Sequence, residues 1–241
     1  MPLWRLDKII ASQTSLSRKD VKAVITGGRV QVDGNTALRG EQKFDTETAF
    51  ITVDGRQLIV KEYIYLLLNK PLGYVSSTDD KDGPSVLHLV PEHLRRRKLF
   101  PAGRLDKYSE GMLVITDDGS FAHRMLSPRR HVPKRYYVET DIPVFGDELI
   151  AAFAAGVDVG EEITNPARVE PITDSKGFVT ISQGLFHQLR RMFYVFGAGL
   201  NKLERIQIGS LGLDEDMPQG ECRELSDEEI VLLLTKPESV A

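Results

Sequence analysis

The chain has 241 residues, enough for one substantial hydrophobic core or for a medium core with a small additional module. Hydrophobic residues make up 41% and charged residues 27% of the chain, which is typical of a soluble globular protein. The longest apolar runs, residues 63–68 and 230–234, are far too short to cross a bilayer, so we expect no membrane partner. The single cysteine, Cys222, excludes an intramolecular disulfide. No secretory signal is evident in residues 1–11, and together these features predict a cytoplasmic protein.

The net charge of −4 argues against a polycation, but the charges are unevenly distributed. Residues 94–136 carry eleven positive and four negative charges, whereas residues 211–241 carry two and nine. An acidic protein with basic segments can still bind a polyanion, because the local potential governs encounter.

The first sixty residues predict a small domain. Apolar residues at helical spacing predict a helix over residues 5–12, and Ser17 with Asp20 predicts the capping box of a second helix. Residues 29–33 alternate as a strand that ends in an Asp-Gly hairpin turn. Arg18 and Lys22 lie one turn apart on the second helix, where they could contact phosphates.

From Tyr63 onwards the pattern is that of a β-rich domain. Residues 63–68 predict a buried strand followed by a Pro-Gly turn, and Met112 to Ile115 predict a second strand. Residues 103–111, between two glycines, predict a loop that presents Asp106 beside that second strand. Rigidly supported loops commonly carry catalytic groups, although a solvated turn is the simpler interpretation of these residues alone.

The remaining predicted elements follow in order. Residues 134–138 predict a strand, on which Tyr136 and Tyr137 should point to opposite faces. Residues 142–156 predict a helix, residues 178–181 a strand, and residues 183–193 a loop leading into a helix. We interpret the acidic segment from Leu213 as solvated, with residues 230–234 docking onto the body.

Several motifs resemble a known family. The stretch GRLDKYSEGMLVITDDG, residues 103–119, is similar to the GRLDxxTxGLLLLTNDG signature of RNA pseudouridine synthases of the RsuA type, which modify ribosomal RNA. Residues 69–76, the Lys-x-Tyr pattern at Lys134 and Tyr136, and residues 183–193 match further motifs of that family. Residues 3–50 resemble the α-L RNA-binding domain of the ribosomal protein S-four type.

The resemblance implies specific roles for individual residues. It makes Asp106 the catalytic carboxylate, Tyr136 the aromatic contact of the target uracil, and Arg190 the cation that pairs with Asp106 and keeps it ionised. We rate His187 as structural or as an RNA contact, and Lys70 as architectural. The substrate-binding candidates are Arg104, Leu189, Gln188, Arg130, Lys134, Arg18 and Lys22. The chain departs from the pattern at Leu185, where the family commonly has Arg, and at Gln183, which replaces Glu.

The expected architecture is α+β. We predict an S-four-type RNA-binding domain over residues 1–60 and, over residues 61–241, a catalytic domain with a mixed, mainly antiparallel sheet and flanking helices. Because the isomerisation involves no redox change and loses no atom, we expect no cofactor and no metal. The expected partner is ribosomal RNA or a ribosomal subunit precursor, bound by a monomer.

Alternatives remain open at this stage. Asp106 could act as a nucleophile at the anomeric carbon or as a base that removes the neighbouring ribose proton. Residues 77–80 and 127–129 most resemble the small-subunit enzyme, but large-subunit relatives share the main motifs. A glycosidase would need a second carboxylate, for which Glu110 is available but unmarked as a buried acid. A non-catalytic ribosome assembly factor that keeps the fold is the other alternative.

Overall fold

The structure is a computed structural model that describes residues 3–14, 16–95, 98–127, 132–160 and 162–237, without the side chain of His93. The chain forms two compact units. The first comprises residues 1–64 with 90–98, and the second comprises residues 65–89 with 99–241. The first unit thus includes two segments, 61–64 and 90–98, that the sequence analysis assigned to the second domain. No helix among the described residues has the length and apolar content needed to span a membrane.

The first unit packs two helices against short strands. Its capping box forms as predicted, because the Ser17 side chain accepts a hydrogen bond from the Asp20 amide and the Asp20 carboxylate accepts one from the Ser17 amide. At the hairpin turn Asp33 and Gly34 both have positive φ, 51° and 79°, as this turn type requires. The elements are β1 (Leu3–Arg5), α1 (Leu6–Gln13), α2 (Arg18–Thr26), β2 (Val30–Val32), β3 (Asn35–Thr36), β4 (Lys43–Asp45), β5 (Ile51–Val53) and β6 (Arg56–Gln57).

The second unit is built on a large sheet with helices against it. Its strands are β7 (Tyr65–Lys70), β8 (Phe100–Ala102), β9 (Glu110–Thr116), β10 (Lys134–Thr140), β11 (Arg168–Pro171), β12 (Lys176–Ile181), β13 (Leu200–Ile208), β14 (Leu211–Gly212) and β15 (Cys222–Glu224). Its helices are α3 (Gly119–Leu126), α4 (Asp147–Ala155), α5 (Gln188–Val195) and α6 (Asp227–Leu234).

The sheet runs in the order β11-β12-β10-β13-β9-β7-β15, with β14 paired to β13 and β8 to β9. Within the described residues of this sheet, neighbouring strands are antiparallel, except that β9 and β13 run parallel. The predicted mixed, mainly antiparallel sheet with flanking helices is therefore confirmed. Apolar residues of β7, β9, α3 and α6 form a buried core, in which Phe121 and Leu233 are fully buried. Phe153 of α4 packs against Phe193 of α5, with ring centroids 5.1 Å apart.

The bounds of two predicted elements are corrected. The strand predicted over residues 63–68 extends over Tyr65–Lys70, so that Asn69 and Lys70 are buried residues of the strand. The helix predicted over residues 142–156 begins only at Asp147. Pro143 disfavours the helical conformation at the residue before it, and Gly146 is extended, so the helix cannot begin earlier.

The acidic C-terminal segment is not simply solvated. Met217 and Leu225 are buried, and β15 pairs with β7 at the edge of the sheet. Arg223 makes this packing compatible with the acidic sequence, because its guanidinium bonds both Asp214 and Glu229 at 2.7 Å. The predicted docking of residues 230–234 is confirmed, since α6 inserts Leu233 into the core.

Candidate active site

A cavity of about 610 Å³ opens in the second unit, above the strands β10 and β13. Its volume is in the range that accommodates a nucleoside-sized ligand. Its walls come from the loop that carries Asp106, the end of α3, and the loop before α5. The cavity is lined by seven of the predicted catalytic and substrate-binding residues: Arg104, Asp106, Lys134, Tyr136, Gln188, Leu189 and Arg190.

The loop that carries Asp106 is fixed by residues distant in sequence. The fully buried Lys70 ammonium donates to the Asp106 carbonyl at 3.1 Å and to the Ser109 carbonyl at 2.7 Å. The Ser76 hydroxyl donates to the Leu105 carbonyl at 2.8 Å and accepts from the Leu105 amide at 3.0 Å. Burial lowers the pKa of Lys70 to about 8. The segment from Lys70 to Ser76 therefore supports the loop.

The Asp106 side chain is 32% exposed and can reach a ligand in the cavity. Its carboxylate lies 3.5 Å from Nε2 of His187. His187 adopts a left-handed backbone conformation with φ of 48°, which is strained for a residue with a Cβ and is common at functional sites. The His187 ring stacks on the exposed Phe186, with centroids 3.9 Å apart, at the rim of the cavity.

The ion pair expected between Arg190 and Asp106 is not formed in the structure. The Arg190 guanidinium instead donates to the Tyr108 carbonyl at 2.6 Å. Among the described residues, His187 is the basic group within ion-pair distance of Asp106. Arg190 thus holds the backbone of the Asp106 loop from α5, because its side chain reaches the loop two residues beyond Asp106.

Tyr136 faces the cavity and is 92% buried, whereas Tyr137 points away from it, as the strand period predicted. The Tyr137 ring lies 5.8 Å from the Phe178 ring, and its hydroxyl donates to Glu139 at 2.6 Å. Tyr136 pairs directly across the sheet with Arg205 of β13. This register brings the Arg205 Nη1 to 3.5 Å from the Tyr136 hydroxyl.

Arg205 is a cavity residue that the sequence analysis missed. It is 3% exposed, and it donates to the Met112 carbonyl at 2.7 Å and to the Arg104 carbonyl at 3.3 Å. It therefore connects the Asp106 loop to Tyr136. The signal that could have found it is the period of two in β13, which places Arg205 on the same face as the buried Leu203.

Gly111 allows β13 to approach the Asp106 loop this closely. It has φ of 95°, and a Cβ at this position would lie 2.4 Å from the Arg205 carbonyl oxygen. Gly111 lies at the end of the Asp106 loop and pairs with Arg205 in the parallel register of β9 and β13. This close approach is the structural reason for a glycine here.

Lys134 lies on β10, two residues before Tyr136 and on the same face. Its ammonium donates to the Val132 carbonyl at 3.1 Å. Burial, together with the positive charge of Arg205, lowers the pKa of Lys134 to about 8.

The loop before α5 positions the predicted residues Gln188 and Leu189. Gln188 is buried, and its side-chain oxygen accepts from the Leu185 amide at 3.1 Å, so its amide group shapes the loop. Leu189 is buried and lines the cavity. Gln183 accepts from the Asn165 amide at 2.9 Å, which gives this departure from the family pattern a structural role.

The other predicted contacts are distributed as follows. Arg104 is exposed at the cavity. Arg18 and Lys22 are exposed on α2 of the first unit and do not line the cavity. Arg130 lies outside the described residues.

Glu110, the second carboxylate that a glycosidase would need, is buried, although nothing in the sequence marked it as a buried acid. It is paired with Lys202 at 3.3 Å and with Gln219 at 2.9 Å, and it does not line the cavity. Among the described residues, Asp106 is the carboxylate of the cavity lining. The arrangement suits chemistry that uses one carboxylate and an aromatic ring, not a pair of acids across a scissile bond.

Comparisons with known proteins identify the family of this chain. The family described as RNA pseudouridylate synthase matches residues 64–194, which contain the Asp106 loop, Tyr136 and Arg190. The chain is 40% identical over 234 residues to an uncharacterized RNA pseudouridine synthase of Bacillus subtilis, covering 95% of this chain and 98% of that protein. It is 43% identical over 229 residues to the ribosomal small subunit pseudouridine synthase A of Salmonella typhimurium, covering 94% and 98%.

A solved structure described as a pseudouridylate synthase is 35% identical to this chain. It superposes with a TM-score of 0.67 and covers 95% of this chain and 99% of that chain. Because the family match covers more than half of the chain and the relatives are similar over almost their whole length, this chain belongs to the RNA pseudouridylate synthase family.

Proposed function

We propose that this protein converts a specific uridine of small-subunit ribosomal RNA to pseudouridine, with Asp106 as the catalytic carboxylate. The observation that carries the proposal is the position of Asp106, on a loop anchored by Lys70, Ser76 and Arg190, in a cavity that also contains Tyr136. The choice of the small subunit is supported by the Salmonella relative, which is a ribosomal small subunit pseudouridine synthase.

The reaction is an isomerisation in which the atoms balance within one nucleotide. The bond between uracil N1 and ribose C1′ breaks, the base turns over, and a bond forms between C5 and C1′. C5 then loses a proton and N1 gains one. No electron acceptor or donor is needed, so the chemistry requires no cofactor. Asp106 acts either as the nucleophile at C1′ or as the base that removes the neighbouring ribose proton.

The proposed roles of the other residues follow from their positions. The target base must leave the RNA stack, at a cost of a few kcal/mol, to reach the cavity. Stacking on the Tyr136 ring would return about 1–3 kcal/mol. Leu189 packs near the base, Arg190 holds the loop, and the exposed Arg104 is available to a phosphate. We propose that the first unit, with Arg18 and Lys22 exposed on α2, grips ribosomal RNA as an S-four-type domain.

The test is the variant Asp106→Asn, which removes the charge with little change in shape. We expect no pseudouridine in small-subunit ribosomal RNA, measured by chemical mapping, with RNA affinity and melting temperature nearly unchanged. Asp216→Asn, which makes the same chemical change at an exposed position, is the matched control and should retain activity. Appreciable turnover by Asp106→Asn would remove the basis of the proposal.

Mapping of both ribosomal RNAs, from cells with and without the protein, tests the choice of substrate. The proposal predicts a pseudouridine in the small-subunit RNA that is lost without the protein. A loss confined to large-subunit RNA would reassign the substrate, and binding without any pseudouridine would indicate an assembly factor.

A further inference from the structure

Arg205 is a buried cation without an acidic partner. Its guanidinium bonds two backbone carbonyls and lies near the Tyr136 hydroxyl, but no carboxylate of the described residues lies within 4 Å of it. Its second amino group, Nη2, is buried and has no hydrogen-bond partner in the described part of the chain. A buried charge is costly unless it is compensated, so an uncompensated one beside a catalytic cavity calls for a functional reason.

Lys134 is a second basic group near Arg205, on the neighbouring strand. Lys134 faces the cavity from β10, next to the strand of Arg205, and its ammonium bonds one backbone carbonyl, that of Val132. Among its described neighbours Lys134 likewise has no carboxylate within 4 Å. The Asp106 carboxylate, which also lines the cavity, has its own basic neighbour, because His187 lies 3.5 Å from it. The strands beneath the cavity therefore carry an excess of positive charge.

We propose that Arg205 and Lys134 form the site that holds the negative charge of the uracil base after its bond to the ribose breaks. This inference rests on the proposed function and adds the electrostatic component of the same site. Neither the family match nor the names of the relatives assigns a role to Arg205.

The chemistry of the step explains why such a site is needed. When the N1–C1′ bond breaks, its electron pair stays on the base, and the charge spreads from N1 to the carbonyl oxygens O2 and O4. The base must then turn over as an anion before C5 attacks C1′. Fixed donors placed where charge develops stabilise such a species without reorganisation, and removing one commonly slows a reaction by about 100-fold or more.

The test compares two substrates in single-turnover assays. RNA that carries uridine at the target site is compared with RNA that carries 6-azauridine, whose base is a stronger acid and therefore a more stable anion. The rate is the release of tritium from C5 of the labelled target nucleotide. The variants are Arg205→Gln and Lys134→Gln. The matched control is Arg135→Gln, which removes a charge from the next position of β10, where Arg135 pairs with Glu170 outside the cavity.

We expect Arg205→Gln to slow the uridine reaction on the order of 100-fold, with a clearly smaller loss on 6-azauridine and unchanged RNA affinity. Lys134→Gln should show the same selectivity with a smaller loss, and Arg135→Gln should match the wild type on both substrates. Equal losses on both substrates, a loss of RNA affinity alone, or no loss would overturn the proposal. If circular dichroism shows that Arg205→Gln does not fold, Lys134→Gln tests the proposal by the same comparison of rate losses on uridine and on 6-azauridine. Wild-type protein that releases no tritium from uridine would instead overturn the proposed function.

Discussion

Lys70 shows how one buried side chain can fix the loop that carries Asp106. Its ammonium is fully buried and donates to the carbonyls of Pro71, Asp106 and Ser109. The Pro71 carbonyl belongs to a segment more than thirty residues from the other two, so the ammonium links the two segments in addition to their direct hydrogen bonds. It acts on the chemistry through Asp106 and is a positioning residue.

We predict that Lys70→Met destabilises the protein and impairs activity. Methionine fills similar space but leaves the Pro71 and Ser109 carbonyls without the ammonium donor, whereas the Asp106 carbonyl still accepts from the Ser109 amide. An unsatisfied buried polar group costs about 1–3 kcal/mol. Urea denaturation should show this loss, and the turnover number should fall further than the stability alone explains. Lys107→Met is the matched control on the same loop, because Lys107 makes an exposed bond to the Asp82 carbonyl. A fully active, fully stable Lys70→Met would contradict this role.

The pH dependence of activity and stability should run in opposite directions. Burial lowers the pKa values of Lys70 and Lys134 to about 8, from an ordinary value of 10.5. Between these values the folded protein has released protons that the unfolded chain still binds, so the two lysines make the free energy of unfolding rise with pH from about 8 to 10.5. Above about pH 9 the Cys222 thiol, whose pKa burial raises to about 11, opposes this rise, so the increase should be steepest between about pH 8 and 9. Activity should fall over the same range, because both ammonium charges are lost as pH rises through about 8.

Rate measurements and urea denaturation between pH 7 and 10 check this prediction. In Lys134→Met, part of the alkaline rise in stability should disappear, because one of the two titrating groups is gone. Activity and stability that fall together above pH 8 would show that general unfolding, not these lysines, sets the alkaline limit.

At the scale of elements, the parallel pair formed by β9 and β13 organises the site. Their register sets Gly111 beside Arg205, and the neighbouring register sets Arg205 opposite Tyr136. The Asp106 loop ends where this pair begins. A substitution that increases the distance between the two strands should therefore displace both Asp106 and Tyr136.

We predict that Gly111→Ala costs both stability and activity. The positive φ alone costs about 1–3 kcal/mol, and the added Cβ would also meet the Arg205 backbone at 2.4 Å, so the strands must separate. Gly197→Ala is the matched control, since Gly197 has φ of 72° but a Cβ added there would have no atom within 4 Å. Thermal denaturation and single-turnover rates should show a larger loss in Gly111→Ala. Equal effects in the two variants would exclude the strand contact as the cause.

At the scale of the whole molecule, charge is segregated along an acidic chain. The net charge is −4, but α2 of the first unit exposes Arg18, Lys19 and Lys22. The acidic C-terminal segment is partly neutralised internally, through Arg223. An RNA-binding protein of this kind depends on where its cations lie, not on their total number.

We predict that the double variant Arg18→Gln, Lys22→Gln weakens binding to ribosomal RNA and flattens its salt dependence. For each phosphate that the variant no longer neutralises, the slope of log affinity against log salt concentration should fall by about 0.7–0.9. The control Arg39→Gln, Arg56→Gln removes the same charge from other exposed positions of the first unit. Filter binding over a series of salt concentrations measures this slope. If the α2 variant had the same slope as the wild type, α2 would not contact RNA.

Much of the fold was predictable because its helix caps, turns and strand faces are determined by local sequence patterns. The capping box at Ser17 and Asp20, the turn at Asp33 and Gly34, and the opposite directions of Tyr136 and Tyr137 all depend on residues within a few positions of one another. The predictions failed where distant partners decided the outcome. The C-terminal acidic segment is partly buried because Arg223 pairs with Asp214 and Glu229, which composition alone does not indicate.

By itself, the sequence determined that Asp106 lies on a loop before a buried strand, and the resemblance of its motifs indicated the family. Only the tertiary structure decided that Arg190 bonds the Tyr108 carbonyl, that His187 is the neighbour of Asp106, and that Arg205 lies across from Tyr136. The physical reason is the range of the interactions. Helix caps, turns and strand alternation are set within a few residues, whereas contacts between groups sixty to one hundred residues apart depend on sheet register and on the loops that register holds in place.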